Sequence, residues 1–134
     1  MGTKVIEKEY IIEFVKVENE KRLVTGIVVE PDVEDTYGDK ISAEEIEKAM
    51  IKFMEHGPEI RVQHDPDFVP KVTIIESWIE REGRMLGNMF VKAGTWLLTT
   101  KVNDNEVWEM IKDGRLNGYS FRGPGIGLTE AEVI

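Results

Sequence analysis

The sequence predicts an α+β fold, built on a mostly antiparallel sheet or closed barrel of about six to seven strands with two flanking helices. Runs rich in β-branched and aromatic residues recur along the chain, which is typical of strands. Only two segments have the spacing of an amphipathic helix. The elements do not alternate between strand and helix, which disfavours a doubly wound parallel sheet. At 134 residues, we expect one domain, residues 1–134, with a single core.

The first two strands are predicted at residues 8–18 and 22–30, joined by a turn at Asn19 and Glu20. The second strand is apolar on both faces at its centre, so we expect it to lie in the middle of the sheet or barrel. Gly26 within it indicates a bulge or a close approach of another backbone.

The polar loop at residues 31–40 contains four carboxylates: Asp32, Glu34, Asp35 and Asp39. A calcium loop would need a regular D-x-D-x-D-G run and a distal Glu, which this spacing lacks. A solvated turn is therefore favoured over a metal site.

The first helix is predicted to begin after Ser42, which forms a capping box with Glu45. Gly57 and Pro58 should end it, with His56 in the last turn. Its core-facing stripe consists of Ile46, Ala49, Met50, Phe53 and Met54.

The second half of the chain predicts a short strand at residues 58–65, with His64 at its end, and then a meander of three strands at residues 72–82, 85–91 and 96–102. Asn103 is expected to cap a second short helix that ends at Gly114. The strand that contains Ser120 follows.

Composition excludes several functional classes. The chain has no cysteine and two histidines, so disulfides, thiolate metal sites and a cysteine nucleophile are excluded. The net charge of −9 disfavours binding to nucleic acid or to an anionic membrane surface. No apolar run approaches membrane-spanning length and no signal-peptide segment is present, so the cytoplasm is the expected location.

Six hydroxyl side chains are candidate nucleophiles or helpers: Ser42, Ser77, Ser120, Thr95, Thr99 and Thr100. Ser42 is expected to cap a helix and Ser77 to lie within a strand. Ser120 lies between two glycines in residues 116–123, and His64 could serve as its base. The chain has no G-x-S-x-G motif, which would mark a serine as a hydrolase nucleophile. Two alternatives therefore remain open: Ser120 is an ordinary strand serine, and His64 is bonded to Asp65 or water.

Several segments together resemble the XkdF-type family of tailed phages, described as serine proteases related to prohead maturation proteases. They include Val-Gln-His-Asp at residues 62–65 and Gly-Tyr-Ser-Phe at residues 118–121. The other segments are residues 25–32, 35–39, 42–49, 94–96, 101–108 and 111–114.

This resemblance implies a fold similar to the herpesvirus assemblin, a β-barrel surrounded by helices. It implies that Ser120 is the nucleophile and His64 the general base of a serine endopeptidase without a cofactor. The implied substrates and partners are phage scaffold and capsid proteins, cleaved within the assembling procapsid in the host. A homodimer is expected by analogy.

The family places a third catalytic residue downstream of the serine, and this chain ends 14 residues after Ser120. Either the chain is truncated before that residue, or Glu130, Glu132 or Asp65 takes the role; otherwise the chain works as a dyad or is inactive. Arg122 and the backbone at Gly123 are candidate oxyanion donors.

Two other functions remain open. One is a non-catalytic scaffold or capsid-assembly module that retains the protease fold. The other is a metal-dependent hydrolase that uses Asp35, Asp39, His64 and Asp65.

Overall fold

The structure, a computed structural model, describes residues 7–34, 38, 40–56, 59–62 and 72–124. Within these residues it contains eight strands and two helices. In chain order they are β1 (Glu7–Glu18), β2 (Leu23–Val29), α1 (Ala43–His56), β3 (Glu59–Val62), β4 (Val72–Ile79), β5 (Arg84–Leu86), β6 (Met89–Val91), β7 (Trp96–Val102), α2 (Asn105–Lys112) and β8 (Gly118–Pro124).

Six strands form one antiparallel sheet in the order β3-β8-β1-β2-β7-β4. The predicted α+β class is confirmed, and β2 lies in the interior of the sheet, as its two apolar faces indicated. The closed barrel is not found. In the described part of the chain, β3 and β4 stand at the two ends of the sheet order. Strand composition predicts burial, whereas closure depends on strand number, tilt and stagger, which sequence patterns do not specify.

The β1–β2 hairpin contains the irregularity that Gly26 indicated. Phe14 pairs with Gly26 and Lys16 with Thr25, so Val15 is an extra residue in β1. A Cβ atom at position 26 would overlap the side chain of Ile12 and lie 2.9 Å from the carbonyl oxygen of Glu13. The absence of a side chain therefore lets β1 and β2 approach closely at this point.

Helix α1 begins with the predicted capping box. The Ser42 hydroxyl accepts a hydrogen bond from the Glu45 N–H at 3.2 Å, and the Glu45 carboxylate accepts one from the Ser42 N–H at 3.4 Å. Phe53 is buried with its ring edge-on to Trp96 of β7, 5.0 Å between centroids. Met54 is 45% exposed, so its place in the core stripe was wrong. Eight residues at about 100° each put it roughly 80° from Ile46, beyond the margin of the buried face.

Helix α2 is capped by Asp104 rather than by Asn103. The Asp104 carboxylate accepts hydrogen bonds from the N–H groups of Glu106 and Val107 at 2.8 and 3.2 Å. Asn103 instead donates from its side chain to the hydroxyl of Thr73 at 2.8 Å. Both residue types favour the N-cap, but the charged carboxylate interacts better with the positive end of the helix.

The predicted three-strand meander is also wrong, because β4 pairs directly with β7 and the segment between them forms a separate hairpin of β5 and β6. Gly87 has a φ of 57° at the first loop position, which is typical of a two-residue type II′ turn. Leu86 and Val91 of this hairpin pack on Ile27 and Leu97. The hairpin therefore covers one face of the sheet.

The residues beneath the hairpin form the smaller of two hydrophobic cores, and the two helices pack in the larger one. Buried side chains of α1 and α2 join residues of β1, β2, β4 and β7 in the larger hydrophobic cluster. The strands β2 and β7 thus contribute to both cores, and their central residues are buried whichever way they point.

Candidate active site

Ser120 lies near the middle of β8, between β1 and the terminal strand β3. Its Cα is in register with Ile11 of β1 on one side and with Arg61 of β3 on the other. Residues 118–123 of the glycine-containing segment therefore form a strand rather than the tight turn that its glycines also allowed.

Gly118 has a structural reason to be glycine. A Cβ atom at this position would lie 2.5 Å from the carbonyl oxygen of Ile12, closer than real Cβ atoms come. The start of β8 can approach β1 only without a side chain there. This glycine thus positions the strand that contains Ser120, and its presence is not by itself a sign of a substrate site.

The predicted base follows a strand that pairs with β8. Val62, the last residue of β3, is in register with Tyr119, the neighbour of Ser120. His64 comes two residues after Val62 in the sequence. It lies outside the described residues, as do Asp65, Glu130, Glu132, Asp35 and Asp39. The pairing of Ser120 with His64 therefore stays a prediction, and so does each candidate for the third residue.

The candidate oxyanion residues, Arg122 and Gly123, also belong to β8. Arg122 is in register with Glu9 of β1 and Glu59 of β3, and Gly123 is in register with Lys8. Their role as donors is untested by this backbone arrangement.

The other serines have structural roles, as the sequence indicated. Ser42 forms the capping box of α1. Ser77 accepts a hydrogen bond from the indole N–H of Trp96 at 3.1 Å. These contacts assign structural roles to Ser42 and Ser77.

The three candidate threonines are buried in or beside β7. The hydroxyls of Thr25 and Thr99 form a hydrogen bond of 2.9 Å, and Thr100 donates to the carbonyl oxygen of Val24 at 3.4 Å. The hydroxyl of Thr95 is buried without a hydrogen-bond partner. Burial excludes substrate from the side chains of Thr95 and Thr100, while the hydroxyl of Thr99 is engaged with Thr25.

The shifted pKa values belong to ion pairs. The hydrogen bond from Arg84 lowers the pKa of Glu80, and that from Arg81 lowers the pKa of Glu47. The distances are 2.7 Å for Arg84 with Glu80 and 3.0 Å for Arg81 with Glu47. Both carboxyls are held in the charged form, which suits a structural pair better than a proton donor.

A groove lies on the hairpin-covered face of the sheet, with a volume of about 550 Å³. Its wall includes Trp78, and its floor includes the bonded pair Thr25 and Thr99. Local sequence patterns do not reveal this groove, because it forms between strands that are distant in the chain. The available signal in the sequence was that Thr25 and Thr99 are polar residues within mostly apolar strands.

The part of the chain that the structure describes contains neither a metal-binding cluster nor a membrane-spanning helix. No cluster of three or more histidine and carboxylate side chains there could hold a metal ion. None of the described helices is both long enough and apolar enough to cross a membrane.

Comparison with known protein families identifies the family of this chain. The family model described as "Putative phage serine protease XkdF" matches residues 11–128. The chain belongs to this family. The match includes Ser120 and His64 with their flanking segments and ends before Glu130 and Glu132.

Two curated relatives of this XkdF-family chain come from Bacillus subtilis strain 168. It is 43% identical over 106 residues to "Phage-like element PBSX protein XkdF", covering 79% of this chain and 38% of the relative. It is 41% identical over 115 residues to "Uncharacterized protein YqbD", covering 85% of this chain and 35% of the relative. The matched region thus spans little more than a third of either relative. No solved structure matches the chain.

Proposed function

We propose that this chain is the catalytic region of a serine endopeptidase that cleaves scaffold and capsid proteins inside the assembling phage head. Ser120 is the nucleophile and His64 the general base. One structural observation supports the pair beyond the family match, namely that β3, the strand that leads to His64, pairs with β8 beside Ser120.

The covalent chain limits how far apart the two residues can lie. Two peptide units span at most about 7 Å, so the Cα of His64 must remain within that distance of the Cα of Val62. Val62 is in register with Tyr119, and Tyr119 adjoins Ser120. The pairing of two strands that are distant in sequence therefore makes hydrogen-bond contact between the two side chains sterically accessible.

The chemistry follows from the residue types. The Ser120 hydroxyl attacks a peptide carbonyl while the His64 imidazole takes its proton, which gives a tetrahedral oxyanion and then an acyl-enzyme. The same imidazole returns the proton to the leaving amine, and a water molecule then hydrolyses the ester. Arg122 or the backbone N–H of Gly123 would donate to the oxyanion. Asp65, Glu130, Glu132 or a residue outside the chain would orient the imidazole.

We also propose an assemblin-like fold with a curved sheet. Helix α1 contacts β8, near one end of the sheet order, and also β7 and β4, at the other end. A sheet that curves around α1 would produce these contacts and bring β3 and β4 closer together. An experimental structure with β3 and β4 further apart than two strand spacings, about 10 Å, would contradict this part of the proposal.

The decisive test uses the full-length protein with its own scaffold and capsid proteins, and follows cleavage by mass spectrometry. Ser120→Ala and His64→Ala should each lower the cleavage rate by about 10³-fold or more, because members of a catalytic pair act as a unit. Ser77→Ala and His56→Ala are matched controls, since Ser77 bonds to Trp96 and His56 ends α1. Both controls should keep the rate within about threefold, well short of the loss of a catalytic group.

A fluorophosphonate probe separates the protease from a non-catalytic assembly module. The probe should label the wild-type protein at Ser120 and fail to label Ser120→Ala. A folded full-length protein that is neither labelled nor able to cleave scaffold would overturn the enzymatic proposal and favour the assembly module.

A further inference from the structure

The groove on the hairpin-covered face is separate from the candidate nucleophile. It is lined by residues of β1, β2, β4, β5 and β7. Lys16 is the lining residue of β1 nearest to Ile11, the partner of Ser120. Five strand residues separate these two positions, roughly 16 Å along β1.

Some of the charged side chains around the groove form ion pairs and others do not. Lys16 is paired with Glu18 at 3.1 Å, and Arg84 with Glu80 at 2.7 Å. Lys21 and Glu76 also line the groove, and neither forms an ion pair with another described residue. One exposed cation and one exposed anion thus remain available to a ligand.

These two charges lie on opposite sides of the groove. Glu76 is in register with Thr99 and Thr25, and Lys21 precedes β2 by two residues. Two strand spacings and four residues, two of them in a turn, separate their Cα atoms, which gives at most roughly 16 Å. An extended segment of about five residues spans that distance. The carboxylates of Glu18 and Glu76 would repel a polyanion, which excludes nucleic acid as the preferred ligand.

One wall of the groove is a strand edge. Arg84 and Leu86 of β5 line the groove, whereas no residue of β6 does. In a two-residue hairpin, the pair that flanks the loop is hydrogen-bonded and the next pair is not. The next pair here is Met85 with Phe90, so the backbone N–H and C=O of Met85 point away from β6. This edge can accept an added strand.

We propose that this groove binds an extended peptide segment of mixed charge, which adds to the edge of β5 and places an acidic side chain near Lys21 and a basic side chain near Glu76. The backbone at Met85 supplies affinity without regard to side chains, and the two charges supply selectivity. Peptide binding in this groove does not require Ser120. The proposal therefore does not depend on whether the chain is a protease.

Titration of the ¹⁵N-labelled protein with the peptide Ac-Ser-Asp-Thr-Val-Thr-Lys-Ser-NH₂ tests the proposal by amide chemical shifts, since its Asp and Lys are four residues apart and lie on one face of an extended strand. We expect saturable shifts centred on Thr25, Met85 and Thr99, with the same result in Ser120→Ala. Replacing the peptide's Asp and Lys by Asn and Gln should weaken binding by about tenfold, since both exposed charge pairs are lost and each is weak. Lys21→Glu should weaken binding of the original peptide by about fivefold for the same reason.

A charge-exchanged peptide keeps the test specific. A peptide with Lys in place of its Asp should bind Lys21→Glu more tightly than it binds wild type. Lys48→Glu makes the same change of net charge on α1, where Lys48 pairs with Glu44, and should leave peptide binding unchanged. An absence of saturation up to about 5 mM, weaker than specific peptide affinities, would overturn the proposal. Shifts centred on α1, or equal binding of the charged and neutral peptides, would overturn it as well.

Discussion

The strands β7 and β8 each lie between two antiparallel neighbours in the same sheet, but different constraints hold them in place. β7 is buried from Trp96 to Thr100, with residues in both hydrophobic clusters. β8 pairs with β1 along all seven of its residues and begins at a glycine that allows its close approach. Side-chain packing thus determines β7, while backbone proximity determines the start of β8.

The largest expected effect is on the packing of β7. Trp96 is fully buried, stacks edge-on against Phe53 and donates to Ser77. Trp96→Ala should reduce the free energy of unfolding by about 3–5 kcal/mol, because it leaves a large cavity between α1 and the sheet. Urea denaturation measures the change. Phe90→Ala is the control, since this aromatic side chain is 62% exposed and its loss should change stability by less than about 1 kcal/mol. Equal effects of the two variants would contradict this account of the core.

The next largest effect is expected at Gly118. Gly118→Ala should destabilise the protein by about 1–3 kcal/mol and displace the start of β8, because the added methyl group meets the carbonyl oxygen of Ile12. The proposed cleavage of scaffold should fall with it, since Ser120 is two residues away. Gly114→Asn provides the contrast: its φ is 80° and no atom lies within 4 Å of an added Cβ. Asn tolerates that backbone conformation, so Gly114→Asn should retain both stability and activity. Similar losses in both variants would show that close approach is not what requires glycine at position 118.

A smaller and more specific effect is expected for the buried hydroxyl pair. Thr25→Val should cost about 1–3 kcal/mol, because it leaves the Thr99 hydroxyl buried without its partner. The double variant Thr25→Val/Thr99→Val should recover most of this loss, since neither hydroxyl then remains unsatisfied. A double-mutant cycle measured by thermal unfolding would reveal the coupling. Additive losses would show that the two hydroxyls do not depend on each other.

The separation in sequence between interacting residues explains which features of the fold could be predicted. The capping box of Ser42 and Glu45, the interior position of β2 and the close approach at Gly26 all follow from signals within a few residues. The sheet order does not, because the pairing of β3 with β8 joins segments about 60 residues apart in the chain. The separate β5–β6 hairpin was missed because the turn signal of Gly87 and Asn88 lies inside a short apolar run. Sequence thus identified Ser120 and His64 as candidates but could not predict that β8 pairs with β3, the strand that precedes His64 in the chain.

The smallest expected effect concerns the pH dependence of stability at the base of the hairpin. Arg84 donates to Glu80 at 2.7 Å, and this hydrogen bond lowers the pKa of the Glu80 carboxyl below its ordinary value of 4.5. Since the folded state then binds its proton less readily than the unfolded state, the pair stabilises the fold fully above pH 4.5. That stability is lost as the pH falls through the lowered value. Arg84→Gln should therefore be less stable than wild type at pH 7, and the difference should shrink below pH 4.5. Glu80→Gln removes the titrating group, so adding Arg84→Gln to it should give a difference that does not change between pH 3 and 7. Thermal unfolding across that range measures both comparisons, and a constant difference between Arg84→Gln and wild type would show that Glu80 does not titrate with folding.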